Sequence, residues 1–138
     1  MENPDRENGT EVAVQILISS ELRTCYRGMG NDTTQDYEPY VKQYNNDIQR
    51  DILCDTKTDG GGWILLQRRT TGDVDFNRSW SEYKNGFGTP PGDFWLGNDA
   101  IHELTSKQLH ELRIDMRVGS QKFYARYSTF DIMDESEL

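Results

Sequence analysis

An α+β domain with a small antiparallel sheet is the class this sequence predicts, and three stretches predict it. In "ELRIDMR", Leu112, Ile114 and Met116 alternate with Glu111, Arg113, Asp115 and Arg117, the period of a strand with one dry face. "DTKTDGG" places Asp59-Gly60 between two apolar runs. Glycine accepts positive φ without a Cβ clash, so this dipeptide turns a hairpin. "SWSE" sets Ser79 three residues before Glu82, the spacing of a capping box that opens a short helix.

Along the chain, "VAVQILISSEL" reads equally as the end of a helical linker or as an irregular strand, and residues 1–20 are assigned to an N-terminal linker or tail. Residues 21–138 are assigned to the domain proper. "RGMGNDTTQDYEP" is loop by composition. "YVKQYNNDIQRDILCD" gives two short extended pieces around the turn "NND". Asp51–Asp55 should fold back on Trp63–Arg69, with Gly61 and Gly62 leaving room for another group to lie close. A helix over Trp80–Asn85 ends at Gly86. "TPPGDFWLGND" is a tight turn followed by rings that pack inward. A second helix over Asp99–Leu104 takes Asn98 as its cap. Beyond "ELRIDMR", "VGSQ" turns the chain and "KFYARYSTFDI" returns, with Phe123, Ala125 and Tyr127 on one face.

The chain has 138 residues, 34% of them apolar, among them seven Tyr, five Phe and three Trp. So small a core is built from rings and surrounded by loops. The formal net charge is −9, with 24 Asp and Glu against 15 Lys and Arg. Nucleic acid and anionic membrane surfaces both require clustered cations, so this balance argues against them. No apolar run approaches the length of a membrane helix. The first residues carry Glu2, Asp5 and Glu7 rather than the basic cluster of a signal peptide. The two cysteines, Cys25 and Cys54, permit a disulfide without proving one. A bond between them would close a loop of about thirty residues and stabilise the fold by roughly 3–4 kcal/mol. Sequons stand at Asn8, Asn31 and Asn77; with paired cysteines they lean toward an extracellular chain, Asn31 and Asn77 being the candidate glycosylation sites.

Catalysis and metal binding find little support. Asp73, Asp75 and Asn77 have the spacing of a calcium loop, but Arg78 stands where glycine is needed and Lys84 where a bidentate Glu is needed. His102 and His110 lie eight residues apart across a predicted helix-to-strand change, with no third soft ligand evident. No nucleophile elbow, zinc-protease or phosphate-loop motif is present, and "GGGW" leads into a strand instead of a helix. No catalytic residue, metal ligand or cofactor is assigned.

The series "CDTKTDGGGWILLQRRTTGDVDFNRSWSEYKNGFG", "GDFWLGNDAIHELT", "ELRID" and "YARYSTFDI" resembles the fibrinogen-like domain, the C-terminal module of fibrinogen chains, ficolins, angiopoietins and tenascins. The resemblance spans about Cys25 to Phe130. Around "LRTCYRGMG" and "CDTKTDGGGWI" it is most similar to the fibrinogen-related immune lectins of molluscs. It implies a Cys25–Cys54 disulfide in an N-terminal subdomain, then part of a central twisted antiparallel sheet with short helices. It also implies secretion and recognition without catalysis, with carbohydrate, pathogen-surface glycoconjugates or other fibrinogen-related chains as partners. The family's calcium loop, second disulfide and main ligand pocket belong to a C-terminal subdomain that this sequence is read as lacking, so none of those roles is carried over. A truncated sheet of this kind should expose an unpaired edge and an open core face.

Overall fold

The computed structural model describes residues 12–21, Cys25, 40–133 and Ser136. Its strands are β1 (Val12–Ser20), β2 (Tyr40–Asn45), β3 (Arg50–Asp55), β4 (Trp63–Arg69), β5 (Phe87–Gly88), β6 (Phe94–Trp95), β7 (His110–Val118) and β8 (Gln121–Phe130). Its helices are α1 (Trp80–Asn85) and α2 (Asn98–Lys107). The sheet runs β2-β3-β4-β1-β7-β8, with β6 pairing to β4 and β5.

The largest departure from the sequence reading concerns residues 12–20. Of the two readings the irregular strand holds, and the assignment to a linker or tail does not: these residues form β1, an inner strand of the sheet. β1 is antiparallel to β7 from Val12↔Val118 to Ser20↔His110. On its other side it pairs with β4 from Val14↔Arg69 to Ile18↔Ile64, with a bulge between Ile16 and Leu17. Leu17 and Ile18 are wholly buried, and Ser19 and Ser20 nearly so. A strand flanked on both edges, and covered on both faces in its second half, shows no clean alternation, which hides it in the sequence. The polar Ser19 is tolerated there because its hydroxyl donates to the Gly62 carbonyl at 2.8 Å. β1 thus meets the last glycine of the run, Gly62.

Several expected elements are found where the sequence places them. β3 turns back on β4 with Cys54 opposite Ile64, through a 3-10 turn at Thr58–Gly60 in which Asp59 and Gly60 both have positive φ. In the β2–β3 hairpin, Asn45 Oδ1 accepts from the N–H groups of Asp47 and Ile48. α1 carries the full capping box, Ser79 and Glu82 each bonding back to the other's backbone. β7 and β8 form the hairpin foreseen from their alternation, with Met116 opposite Phe123 and Ile114 opposite Ala125. The Cys25–Cys54 disulfide is present, with Cα atoms 5.7 Å apart.

α2 differs from the expectation in its cap and its length. Asn98 is its first residue, and Gly97 precedes it with no side-chain cap. The Asn98 carboxamide oxygen instead accepts from the Trp95 indole N–H at 3.0 Å, sharing that donor with the Tyr83 carbonyl. Gly97 sits at φ +119, and a Cβ there would come within 2.9 Å of the Asn85 carbonyl. The end of α1 and the start of α2 approach this closely only because of that glycine. α2 continues to Lys107 and buries Ile101 and Leu104. These join Leu17, Ile18, Ile52, Trp63–Leu66, Phe94 and Leu96 in one core.

Asp93 closes the loop that follows β4. Its carboxylate is 2% exposed and accepts from the N–H groups of Thr70, Thr71 and Gly72 at 2.7, 3.1 and 2.7 Å. Burial works to raise its pKa, and the three backbone donors together outweigh it, holding the group below the usual carboxylate range. A folded-state value below the unfolded one means the unfolded chain binds more protons in acid. Asp93 therefore stabilises the fold above its unfolded pKa of about 4, and this is lost as pH falls through the lower folded value. Asp93→Asn should cost roughly 1–3 kcal/mol at neutral pH, since it leaves a buried N–H without its acceptor. Urea midpoints of the two chains should converge on acidification below about pH 4.

Candidate functional site

The surface most suited to a ligand lies on one face of the sheet, across β1, β4, β7 and β8. Alternation places Gln15, Arg113, Asp115, Arg117, Lys122 and Tyr124 on this face, since Gln15 stands opposite Asp115, Asp115 opposite Tyr124, and Arg117 opposite Lys122. An open pocket of about 530 Å³ lies over them. Its floor is tied together: the Tyr40 hydroxyl donates to Gln15 Oε1 at 2.8 Å, and Gln15 Nε2 donates to Asp115 Oδ2 at 3.2 Å. Two stacked guanidinium–ring pairs form its walls, Arg68 over Tyr40 at 4.4 Å and Arg113 over Tyr124 at 4.3 Å.

The charge of the pocket opposes that of the chain. Arg68, Arg113, Arg117 and Lys122 line it against the single carboxylate of Asp115, in a protein of net charge −9. Arg113 is neutralised by Asp115 at 2.9 Å and by Asp59 at 3.2 Å. Arg126, beside the pocket, pairs with Asp59 and Glu111, and the Glu111 hydrogen bonds hold its guanidinium pKa above the usual value. Arg117 and Lys122 have no ion-pair partner among the described residues. They are exposed and directly opposite each other, an arrangement of like charges that destabilises an antiparallel pair.

The other face of the β7–β8 hairpin is apolar and open. Met116, Phe123 and Tyr127 are 43%, 49% and 52% exposed, and β8 has no strand on its outer edge among the described residues.

The remaining sequence candidates are placed as follows. Phe94 and Leu96 are buried, and Trp95 bonds to Tyr83 and Asn98, so this aromatic turn belongs to the core. His102 Nδ1 contacts the Ile132 carbonyl and His110 Nδ1 the Gln108 carbonyl, each at 2.8 Å. Burial pushes the His110 pKa down, partly offset by the Gln108 contact. Asp75 Oδ1 accepts from the Asn77 N–H in the acidic turn. Among the described residues no group of three or more His, Cys, Asp or Glu is gathered as a metal would need. Among the same residues no helix is long and apolar enough to cross a membrane. Asn77 is exposed, while Asn31 and Asn8 fall outside the described residues. No single motif marks the pocket, because its residues come from five strands spread between β1 and β8. The one local signal was the basic, wet face of "ELRIDMRVGSQK".

The antiparallel sheet, its disulfide and its two helices define an α+β fold, and sequence comparison supplies the family. The family model described as fibrinogen beta and gamma chains, C-terminal globular domain, matches residues 22–138. The chain belongs to this family. It is 46% identical to tenascin-R of Gallus gallus over 101 residues, covering 72% of this chain and 8% of that protein. It is 42% identical to tenascin-R of Homo sapiens over 110 residues, covering 80% of this chain and 8% of that protein. Among solved structures it resembles the fibrinogen-like globe domain of human ANGPTL6, with a TM-score of 0.46 and 24% identity over 67% of this chain and 53% of that one. The corresponding domain of human ANGPTL2 gives 0.45 and 25% over 67% and 55%. The chain thus spans about half of those globe domains and a small part of tenascin-R. The family match begins at residue 22, after β1 has ended.

Replacing one member of the like-charged pair should relieve its strain. Lys122→Glu places a carboxylate opposite Arg117 and should raise stability by about 0.2–1 kcal/mol in low salt. Urea unfolding with and without added salt checks this.

Proposed function

We propose that this chain is a non-catalytic, extracellular recognition module whose β1–β4–β7–β8 face takes a carbohydrate carrying carboxylate or sulfate groups, as on a microbial or matrix glycoconjugate. The observation that carries the reading is the unneutralised Arg117–Lys122 pair at the mouth of the pocket. Two adjacent cations kept opposite each other at a cost in stability suit a ligand that supplies the missing anion. The flanking rings of Tyr40 and Tyr124 offer flat apolar surface to a sugar, and Gln15 and Asp115 offer directional hydrogen bonds. The fibrinogen-like family includes lectin-like and ligand-binding modules, which is consistent with this role. A chain outside the cell would also present Asn77 for N-glycosylation, its side chain exposed at the start of α1.

A second reading has its own support. The unpaired β8 edge and the open Met116–Phe123–Tyr127 strip suit pairing with another fibrinogen-related chain in an assembly role.

A glycan array separates the two. The expected result is capture of sialylated, uronic-acid or sulfated glycans, weakening as salt rises. Arg117→Ala or Lys122→Ala should weaken capture about tenfold or more, the loss of one charge-assisted hydrogen bond. Retention of neutral sugars alone, or capture indifferent to both substitutions, overturns the glycan reading. Co-purification with a related chain and no glycan capture favours assembly.

A further inference from the structure

β1 holds an unusual position. It lies outside the residues that match the family, 22–138, yet it fills the centre of the sheet. On one side of it stand β2, β3 and β4 with β5 and β6; on the other stands the β7–β8 hairpin. No register pairs β4 with β7 directly. The domain therefore contains a slot one strand wide, and the chain fills it with a segment from before the family-matched region. The slot is selective. It buries Leu17 and Ile18 completely, bonds Ser19 at the Gly62 carbonyl, and meets Gln15 with Tyr40 and Asp115.

We propose that this slot is a strand-acceptor site, and that its partner in trans is the Val12–Ser20 strand of a second copy of this chain. In the exchanged form each copy lends β1 to the other, and every β1 contact described above is kept. This is the condition under which strand exchange is a low-cost route to a dimer. β1 is suited to it because its departure breaks no strand pairing other than its own with β4 and β7. When β1 leaves, β4 and β7 become open edges that must find a strand again, and at high concentration the nearest strand need not be their own. The disulfide sets the balance. Ser20 lies five residues before Cys25, which is bonded to Cys54 on β3. An extended stretch of that length spans about 17 Å, so a closed disulfide keeps β1 near its own slot at high effective concentration. The proposal stands apart from the glycan reading, which concerns side chains on one face only.

The test uses full-length chains carrying one new cysteine each. Val14 of β1 faces Met116 of β7. A chain with Val14→Cys and a chain with Met116→Cys are co-refolded over a range of concentrations, oxidised, and mapped by mass spectrometry. The expected result is a 14–116 disulfide joining two chains, its amount rising about fourfold for each doubling of chain concentration while dimer is scarce. The double variant Val14→Cys/Met116→Cys is refolded in parallel at low concentration, where it should close the same bond within one chain. If the double variant closes and no cross-chain 14–116 bond forms at any concentration, the exchange is excluded. If the double variant fails to close, β1 is not in this register and the slot itself is disproved.

Discussion

The fold depends on the insertion of β1 between β4 and β7. On one side stand the β2–β3–β4 layer and the short β5–β6 pair; on the other, one hairpin. Two edges of unpaired N–H and C=O groups would face each other without β1, and both would demand hydrogen bonds. β1 satisfies both at once and places Leu17 and Ile18 at the centre of the core. The other links across this seam are weaker. Asp59 reaches from the β3–β4 turn to Arg113 and Arg126 on the hairpin, but Asp59 itself is open to solvent, and ion pairs screened in this way contribute little each. α2 adds an apolar layer through Ile101 and Leu104.

Around that seam the molecule makes up for a small core with fixed points. The Cys25–Cys54 bond ties the segment after β1 to β3. Asp93 gathers three backbone donors at the end of β4. Ser79 and Glu82 close the start of α1, whose side chains are not buried. Phe87 meets the rings of Phe76 and of Tyr83 on α1 edge to face, at 4.9 and 5.0 Å between centroids. Each device acts locally, which suits a chain with few aliphatic residues to spare. The two faces of the β7–β8 hairpin are left largely uncovered, one cationic and the other apolar.

Much of this was legible where local chemistry sets local structure. The β7–β8 hairpin followed from alternation, α1 from its capping box, and the β3–β4 turn from Asp59-Gly60. The disulfide followed from the family resemblance. What stayed hidden was decided by tertiary neighbours. β1 is buried on both faces in its second half and bulged at its middle, so its residues display neither helical nor strand period. Asn98 has the chemistry of a cap, but the indole of Trp95 claims its oxygen. The basic pocket could not be read as a unit, because Arg68, Arg113 and Lys122 meet only once β1 brings β4 and β7 to either side of it.

Native-state hydrogen exchange of the oxidised chain, resolved by residue, tests the central role of β1 most directly. If β1 joins the two parts of the sheet, the amides of Leu17 and Ile18 should exchange only through global unfolding. They should then share one opening free energy with those of Ile64 and Leu65 on β4 and Leu112 and Ile114 on β7. If β1 amides exchange by a separate, easier opening while β4 and β7 stay protected, the sheet holds together without it and the account is wrong.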